Sequence, residues 1–425
     1  MSVWVDVTDL MAWRGHLTGI QRVVFNIASR LQRDDKTVRF FYYEPHSGKF
    51  YEKPLDFNDW LKSNTSHVDS AALSVRNKML NMVPHRLRRV VPRNIKHLAV
   101  KTAKYALHKK RSLSVKIEKN TKVQDNLVEF KKNDLVLILG NGWDNQKIFT
   151  DMGDLKNSIG FKLVNVVYDV IPILEPQFFG GMVTKQYTDY LFEAVTNCDL
   201  LLPISKSTEN DVLEFCKSIE APLPKTAVIR LGDEIAGEEH PTKPRWVTEK
   251  NFILCVGTIE VRKNHALLYY AYKKLINEGV KPPKFLIVGK RGWYTGDVLM
   301  LFDHDIKMKP YVQVIDNATD DELSWLYQNC MFTVYPSMYE GWGLPVAESL
   351  ARGKVVLSSD SSSIPEAGGE LADYFSPYDP VTCAELIKKY SNADNLRQKE
   401  KEIQSRYNIT TWEECYKQVR KYLSL

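Results

Sequence analysis

A chain of 425 residues is too long for one ordinary hydrophobic core and suits two domains of about 200 residues each. Apolar residues make up 44% and charged residues 26%, which excludes the disordered and fibrous classes. The formal net charge of +6 conceals a very uneven distribution along the chain. Six cysteines stand far apart, with no CxxC and no metal-ligand spacing, so they read as buried free thiols of a reducing compartment. The start, MSVWVDVTDLMAWRG, lacks a basic stretch followed by an apolar one, and no window of about 20 residues is free of charge. The expectation is a cytoplasmic protein.

In chain order, short β-branched and apolar runs predict strands at 3–7, 38–43, 135–139, 163–167 and 200–203. After the first of these, HLTGIQRVVFNIASRL at 16–31 places a glycine turn before an amphipathic helix with Val23, Ile27 and Leu31 on one stripe. The rhythm breaks at residues 76–122, which carry fifteen lysines and arginines against one acid, Glu118, leaving the rest of the chain net acidic. Within that insertion Ile95, Leu98, Thr102 and Tyr105 share a helical face flanked by Lys96, Lys101 and Lys104. A solvated basic helix, a nucleic-acid patch and a contact with an anionic bilayer all fit the composition; the bilayer is the reading taken, with no nucleic acid expected.

Residues 166–179, VVYDVIPILEPQFF, put Asp169 at the end of an apolar strand before a proline turn, where it can serve a site or merely cap the turn. A polar stretch with two prolines at 237–250 reads as a linker, giving domains at 1–240 and 241–400 and a C-terminal segment, 401–425, whose helical pattern at 410–423 can pack back on the first domain. The second half shows the clearer alternation, with strands at 252–256, 285–288, 312–315, 332–335 and 355–358 and helices at 265–278, 320–329 and 345–352. Strand–helix alternation of this kind predicts an α/β fold of two Rossmann-like domains facing a cleft.

The most informative stretch is YPSMYEGWGLPVAESLARG at 335–353, which runs from a strand through two glycines and a proline into a helix. Ligands of open α/β sheets bind at such places. Gly341 and Gly343 permit close backbone approach, Pro345 suits a first helical turn, and free amides at the helix start can face a diphosphate. Glu340 and Glu348 supply carboxylates that accept hydrogen bonds from sugar hydroxyls. A second motif, VGTIEVRKNH at 256–265, places Arg262 and Lys263 at a helix start, where cations can neutralise a departing diphosphate.

The first of these stretches resembles the E-x7-E signature of the retaining family 4 glycosyltransferases, with Trp342 at its aromatic position. The resemblance implies a GT-B fold, with the nucleotide-sugar donor held by the second domain and a lipid-linked glycan acceptor by the first. It implies that Glu340 contacts the donor sugar, that Glu348 holds the ribose, and that Gly341, Trp342, Gly343 and Leu344 line the sugar and diphosphate. Lys263 maps onto the family's diphosphate lysine, with Arg262 beside it, whereas Thr258 stands where the family carries an arginine. The loop at 16–31 is similar to the family's TGIGR, matching Gly19 on the donor side and Arg22 on the acceptor side, with Gln21 replacing a glycine. Residues 168–172 are similar to HDxIP, keeping Asp169 as a catalytic candidate but placing Tyr168 at the histidine position, on the acceptor side.

The resemblance further implies same-face transfer with retention, no metal or other cofactor, and work at the inner face of the cell membrane. The VGTIExRKNH variant is similar to bacterial mannosyltransferases of surface polysaccharide synthesis, which makes mannose the favoured hexose. Rival readings are a nucleotide-sugar epimerase or phosphorylase of the same fold, or a nucleic-acid-binding protein acting through the basic segment.

Overall fold

The structure, a computed structural model, describes residues 2–13, 17, 19–66, 126–144, 147–235, 241–316 and 318–424. The basic insertion with its apolar stripe, and part of the linker, lie outside the described residues.

Two six-stranded sheets organise the chain. The first contains β1 (Val3–Asp6), β2 (Arg39–Glu44), β3 (Lys49–Glu52), β4 (Leu135–Ile138), β5 (Lys162–Val167) and β6 (Leu200–Pro203). Its order is β3-β2-β1-β4-β5-β6, parallel except for the antiparallel edge strand β3. The second contains β7 (Phe252–Val256), β8 (Lys284–Val288), β9 (Val312–Ile315), β10 (Phe332–Tyr335), β11 (Val355–Ser359) and β12 (Asp373–Phe375). Its order is β12-β11-β10-β7-β8-β9, parallel throughout. Both sheets therefore have the doubly wound Rossmann order, reversing direction between β1 and β4 in one lobe and between β7 and β10 in the other.

The central strands β1, β4, β10 and β11 are buried along their whole length, as parallel strands covered by helices on both faces must be. Their continuous apolar runs are what the sequence shows. The predicted strands agree with these elements to within a residue or so at each end, while β3 and β12 were not predicted.

Eight helices position the site or join the lobes. In the first lobe they are α1 (Gly19–Asp34), α2 (Gly181–Asn197) and α3 (Lys206–Ser218). In the second they are α4 (His265–Asn277), α5 (Asp320–Asn329), α6 (Leu344–Ala351) and α7 (Ile364–Gly368). The last, α8 (Trp412–Tyr422), lies against α1 of the first lobe. Arg30 and Arg33 of α1 pair with Glu413, and Asp34 accepts a hydrogen bond from Tyr416 at 2.8 Å.

Local sequence explains the helix starts. Thr319 and Glu322 form a capping box at α5, and Thr411 and Glu414 form one at α8, each satisfying amides that the first turn leaves open. Helix α6 begins differently, with Gly343 at φ +128°, a conformation that disfavours any side chain, followed by a proline in the first turn.

Candidate active site

The carboxyl ends of strands from the two sheets meet across the cleft. From the second lobe come the β7–α4 connection with Arg262 and Lys263, and the β10–α6 connection with Glu340. From the first comes the turn after β5, with Tyr168 and Asp169. The lobes meet closely here: a Cβ on Gly341 would lie 1.9 Å from the Tyr168 carbonyl oxygen and 2.9 Å from the Asp169 Cβ. Only glycine fits at that position without moving backbone.

Glu340 is 8% exposed and sits between two cations of its own lobe. Its Oε1 lies 2.5 Å from Lys263 Nζ and its Oε2 2.7 Å from Arg262 Nη1. Tyr335 donates its hydroxyl to Oε1 at 2.8 Å, and the Ser337 hydroxyl donates to the same oxygen. Arg262 also pairs with Glu260 at 2.6 Å and donates to the Tyr339 carbonyl. Burial alone would push the Glu340 carboxyl up, but Arg262, Lys263 and the hydroxyl donors outweigh it and hold it at about 2. Burial lowers the Lys263 ammonium below its ordinary value, against the pull of Glu340. The result is a buried carboxylate that stays ionised, with two cations and two hydroxyls fixed around it.

Six residues beyond the end of β7, where Thr258 stands only two beyond it, the Arg262 guanidinium reaches the carboxylate that the lysine holds. Asp169 lies on the opposite wall, its Oδ1 accepting from the Ile171 amide at 3.1 Å. Burial raises its carboxyl to about 6 even though Arg262 works the other way.

Glu348, on α6, is 3% exposed and has its partners already. Its Oε1 lies 2.5 Å from Arg22 Nη1 of the first lobe, and its Oε2 accepts from the Tyr327 hydroxyl at 2.9 Å. Arg22, read from sequence as acceptor-side, is carried by α1 across the cleft onto the second lobe's Glu348. Tyr168, also read as acceptor-side, is buried. Its hydroxyl donates to the Leu139 carbonyl inside the first lobe at 2.5 Å, so its side chain belongs to the core and only its backbone borders the cleft.

Trp342 is buried in the core with its indole N–H unpartnered and the Arg230 guanidinium 5.7 Å from its ring, so its backbone rather than its ring is what the loop offers a ligand. Gly343 and Leu344 begin α6, and Gly19 is exposed at the start of α1 with φ +48°. Tyr335 and Ser337 were missed although both fall within the quoted glycine-rich stretch; a hydroxyl on each side of the strand end was the available signal. Tyr327 carried no such signal.

Residues 237–405 match the family model described as glycosyl transferases group 1. The second lobe is a glycosyl transferases group 1 domain. This domain holds Glu340, Glu348, Arg262 and Lys263. Among its curated relatives is the serotype-specific mannosyltransferase WbdA of Escherichia coli, 26% identical over 239 residues, which are 53% of this chain and 29% of that protein. Another is the O-antigen chain mannosyltransferase B of Escherichia coli, 24% identical over 241 residues, covering 56% of this chain and 63% of that one. The chain thus spans less than two thirds of either relative. Among solved structures, sucrose-phosphate synthase from Thermosynechococcus elongatus aligns over 100% of this chain and 98% of its own, with TM-score 0.61 and 15% identity. Anabaena HepE in complex with UDP aligns over 100% of both chains, with TM-score 0.58 and 14% identity. With the group 1 domain as its second lobe, the chain has the GT-B fold.

Proposed function

We propose that this protein is a retaining glycosyltransferase that moves a hexose, mannose before others, from a nucleotide-diphosphate sugar to a lipid-linked glycan acceptor in surface polysaccharide synthesis. The observation that carries the reading is the convergence of Lys263 and Arg262 on Glu340 at the switch point of a group 1 domain, opposite Asp169. A donor entering there meets cations suited to its diphosphate and a carboxylate suited to its sugar hydroxyls. The names of the mannosyltransferase relatives support mannose and the glycan acceptor.

In this reading the bond between the anomeric carbon and the diphosphate oxygen breaks while the acceptor oxygen bonds to the same face. The acceptor's proton passes to the departing diphosphate. Negative charge grows on that leaving group, and Lys263 and Arg262 stabilise it where it grows, which is the kind of interaction that accelerates a step. Asp169 orients a hydroxyl from the first lobe, and Glu348 takes the ribose once Arg22 yields it. Protein groups carry these roles, and no metal is assigned to any of them.

The basic insertion at 76–122 supplies the contact with the inner face of the membrane in this reading, its charge suiting anionic lipid. Among the described residues, no helix is long and apolar enough to cross a membrane.

Purified protein incubated with GDP-, UDP- and dTDP-sugars and lipid-linked acceptors tests the proposal, with the product's anomeric configuration read by NMR. Transfer with retention is expected, fastest from GDP-mannose. An inverted product, sugar interconversion without transfer, or no turnover with any donor overturns it.

A further inference from the structure

One first-lobe helix grips the loop that carries Glu340. The Tyr339 hydroxyl donates to both carboxylate oxygens of Asp211 on α3, at 2.9 Å each. One turn earlier on the same face, the Thr208 hydroxyl donates to the Gly341 carbonyl at 3.2 Å. The residues immediately before and after Glu340 are therefore both held from across the cleft. Tyr339 is held at its other end as well, where its carbonyl accepts from Arg262.

A third contact fixes the helix itself. The first amides of an α-helix have no partners within it. At α3 the Ser205 hydroxyl accepts from Thr208, and the Glu366 carboxylate of α7, in the second lobe, accepts from the Lys206 and Ser207 amides at 2.7 Å each. A negative charge at a helix N-terminus is favoured by the aligned peptide dipoles. Helix α3 is thus tied to the second lobe on two sides, through its first turn to α7 and through Asp211 to the donor loop.

We propose that Asp211 is a positioning residue for Glu340: it holds Tyr339 from the first lobe, so the Glu340 loop takes its working shape only when the lobes are closed. The inference rests on the proposed transferase function. Every bond from α3 to the second lobe is broken when the lobes part, whereas the pairs of Glu340 with Lys263 and Arg262 lie within one lobe. Closure then completes the site rather than merely covering it. Asp211 is partly buried beside Tyr339, and burial raises its carboxyl to about 6, with Asp169 and Glu366 adding to the rise.

The test uses the full chain with Asp211→Ala, Asp211→Asn, Tyr339→Phe and the double variant Asp211→Ala with Tyr339→Phe. Two readouts are taken: steady-state transfer, and the distance between spin labels on the two lobes with and without nucleoside diphosphate. Asp211→Ala is expected to lower kcat about tenfold, the scale of one lost charge-assisted hydrogen bond, with donor KM within about twofold. Asp211→Asn keeps an acceptor oxygen and should recover most of that loss. The double variant should be no slower than the slower single one, because both remove the same bond. Asp211→Ala should also shift the label distances toward the open form. Unchanged label distances, or losses that add in the double variant, overturn the positioning role. Absence of transfer by the unsubstituted protein would instead count against the transferase function, and the label distances would still decide the role of Asp211.

Discussion

Glu340 and Glu348 lie in one short stretch yet depend on the fold in different ways. Glu340 finds Lys263, Arg262, Tyr335 and Ser337 within its own lobe, so its surroundings are assembled when that lobe folds. Glu348 takes a hydroxyl from its own lobe but its cation, Arg22, from the other. The comparison teaches that a charged site can be preformed at one end and conditional at the other. The ion pairs at the diphosphate end form within one lobe, while the loop that carries them waits on the other lobe for its shape; the ribose end draws even its cation from across the cleft.

The strongest way to break this contrast is to remove a preformed cation. Lys263→Ala should cost roughly 2 to 4 kcal/mol of transition-state stabilisation, seen as a fall in kcat/KM of about two to three orders of magnitude. Arg262→Ala, measured beside it, shows how much of the leaving-group charge the neighbour carries. Activity near that of the unsubstituted enzyme in Lys263→Ala would end its assignment to the diphosphate.

Acid offers a second route to the same end of the site. The Glu340 carboxyl lies at about 2 when folded, against an ordinary 4.5, so ionised Glu340 stabilises the folded state above the ordinary value. That contribution should be lost as pH falls from about 4.5 through 2. Glu340→Gln should therefore lower the thermal midpoint at pH 7 but narrow its gap from the parent protein at pH 3. At neutral pH the same variant should lose transfer while keeping its affinity for nucleoside diphosphate.

Glu348→Ala sharpens the other side of the comparison. Nucleotide affinity should weaken by about 1 to 3 kcal/mol, the scale of hydrogen bonds to a charged group, when measured by calorimetry. Unchanged affinity would remove Glu348 from the ribose site. The smallest effect on transfer is expected far from both glutamates. Replacing Lys96, Lys101 and Lys104 with Glu should release the protein from anionic vesicles, at about 1 kcal/mol for each cation near the surface, while transfer to a short soluble acceptor continues. Equal sedimentation with neutral and anionic vesicles would count against the lipid contact.

Much of the fold was legible because parallel strands buried on both faces must be continuously apolar. The strand at Phe252–Val256 could be read to its end residues for that reason. Edge strands escape this rule: β3, KFYE, has one strand neighbour and, among the described residues, only a single bridge beyond it, Tyr51 to Leu127, and it carries a charge at each end, while β12 is three residues long. The site divides similarly. Glu340 and Lys263 sit in local motifs, so their neighbourhood was visible in the order of residues. Arg22 meets Glu348 across 326 positions, and nothing local to either names the other. Tyr168 follows a strand, and its neighbours do not reveal whether its ring enters the core or the cleft; its bond to Leu139 decides that. Asp211 and Tyr339 stand 128 positions apart, and only the docking of two lobes brings them together.

The return of α8 to the first lobe means that the polypeptide passes between the lobes twice. The two passages run side by side: the Asp233 amide donates to the Thr410 carbonyl at 2.8 Å, and the Asp233 carboxylate accepts from Tyr407 and from the Thr410 amide. They are also packed tightly, since a Cβ on Gly232 would lie 2.7 Å from Trp412. A single strand would let one lobe twist freely upon the other. Two passages bonded to each other at Asp233, Glu234, Thr410 and Trp412 are expected to resist twist more than one would, as the spine of a book does. Opening about such a spine would keep the register of the two lobes.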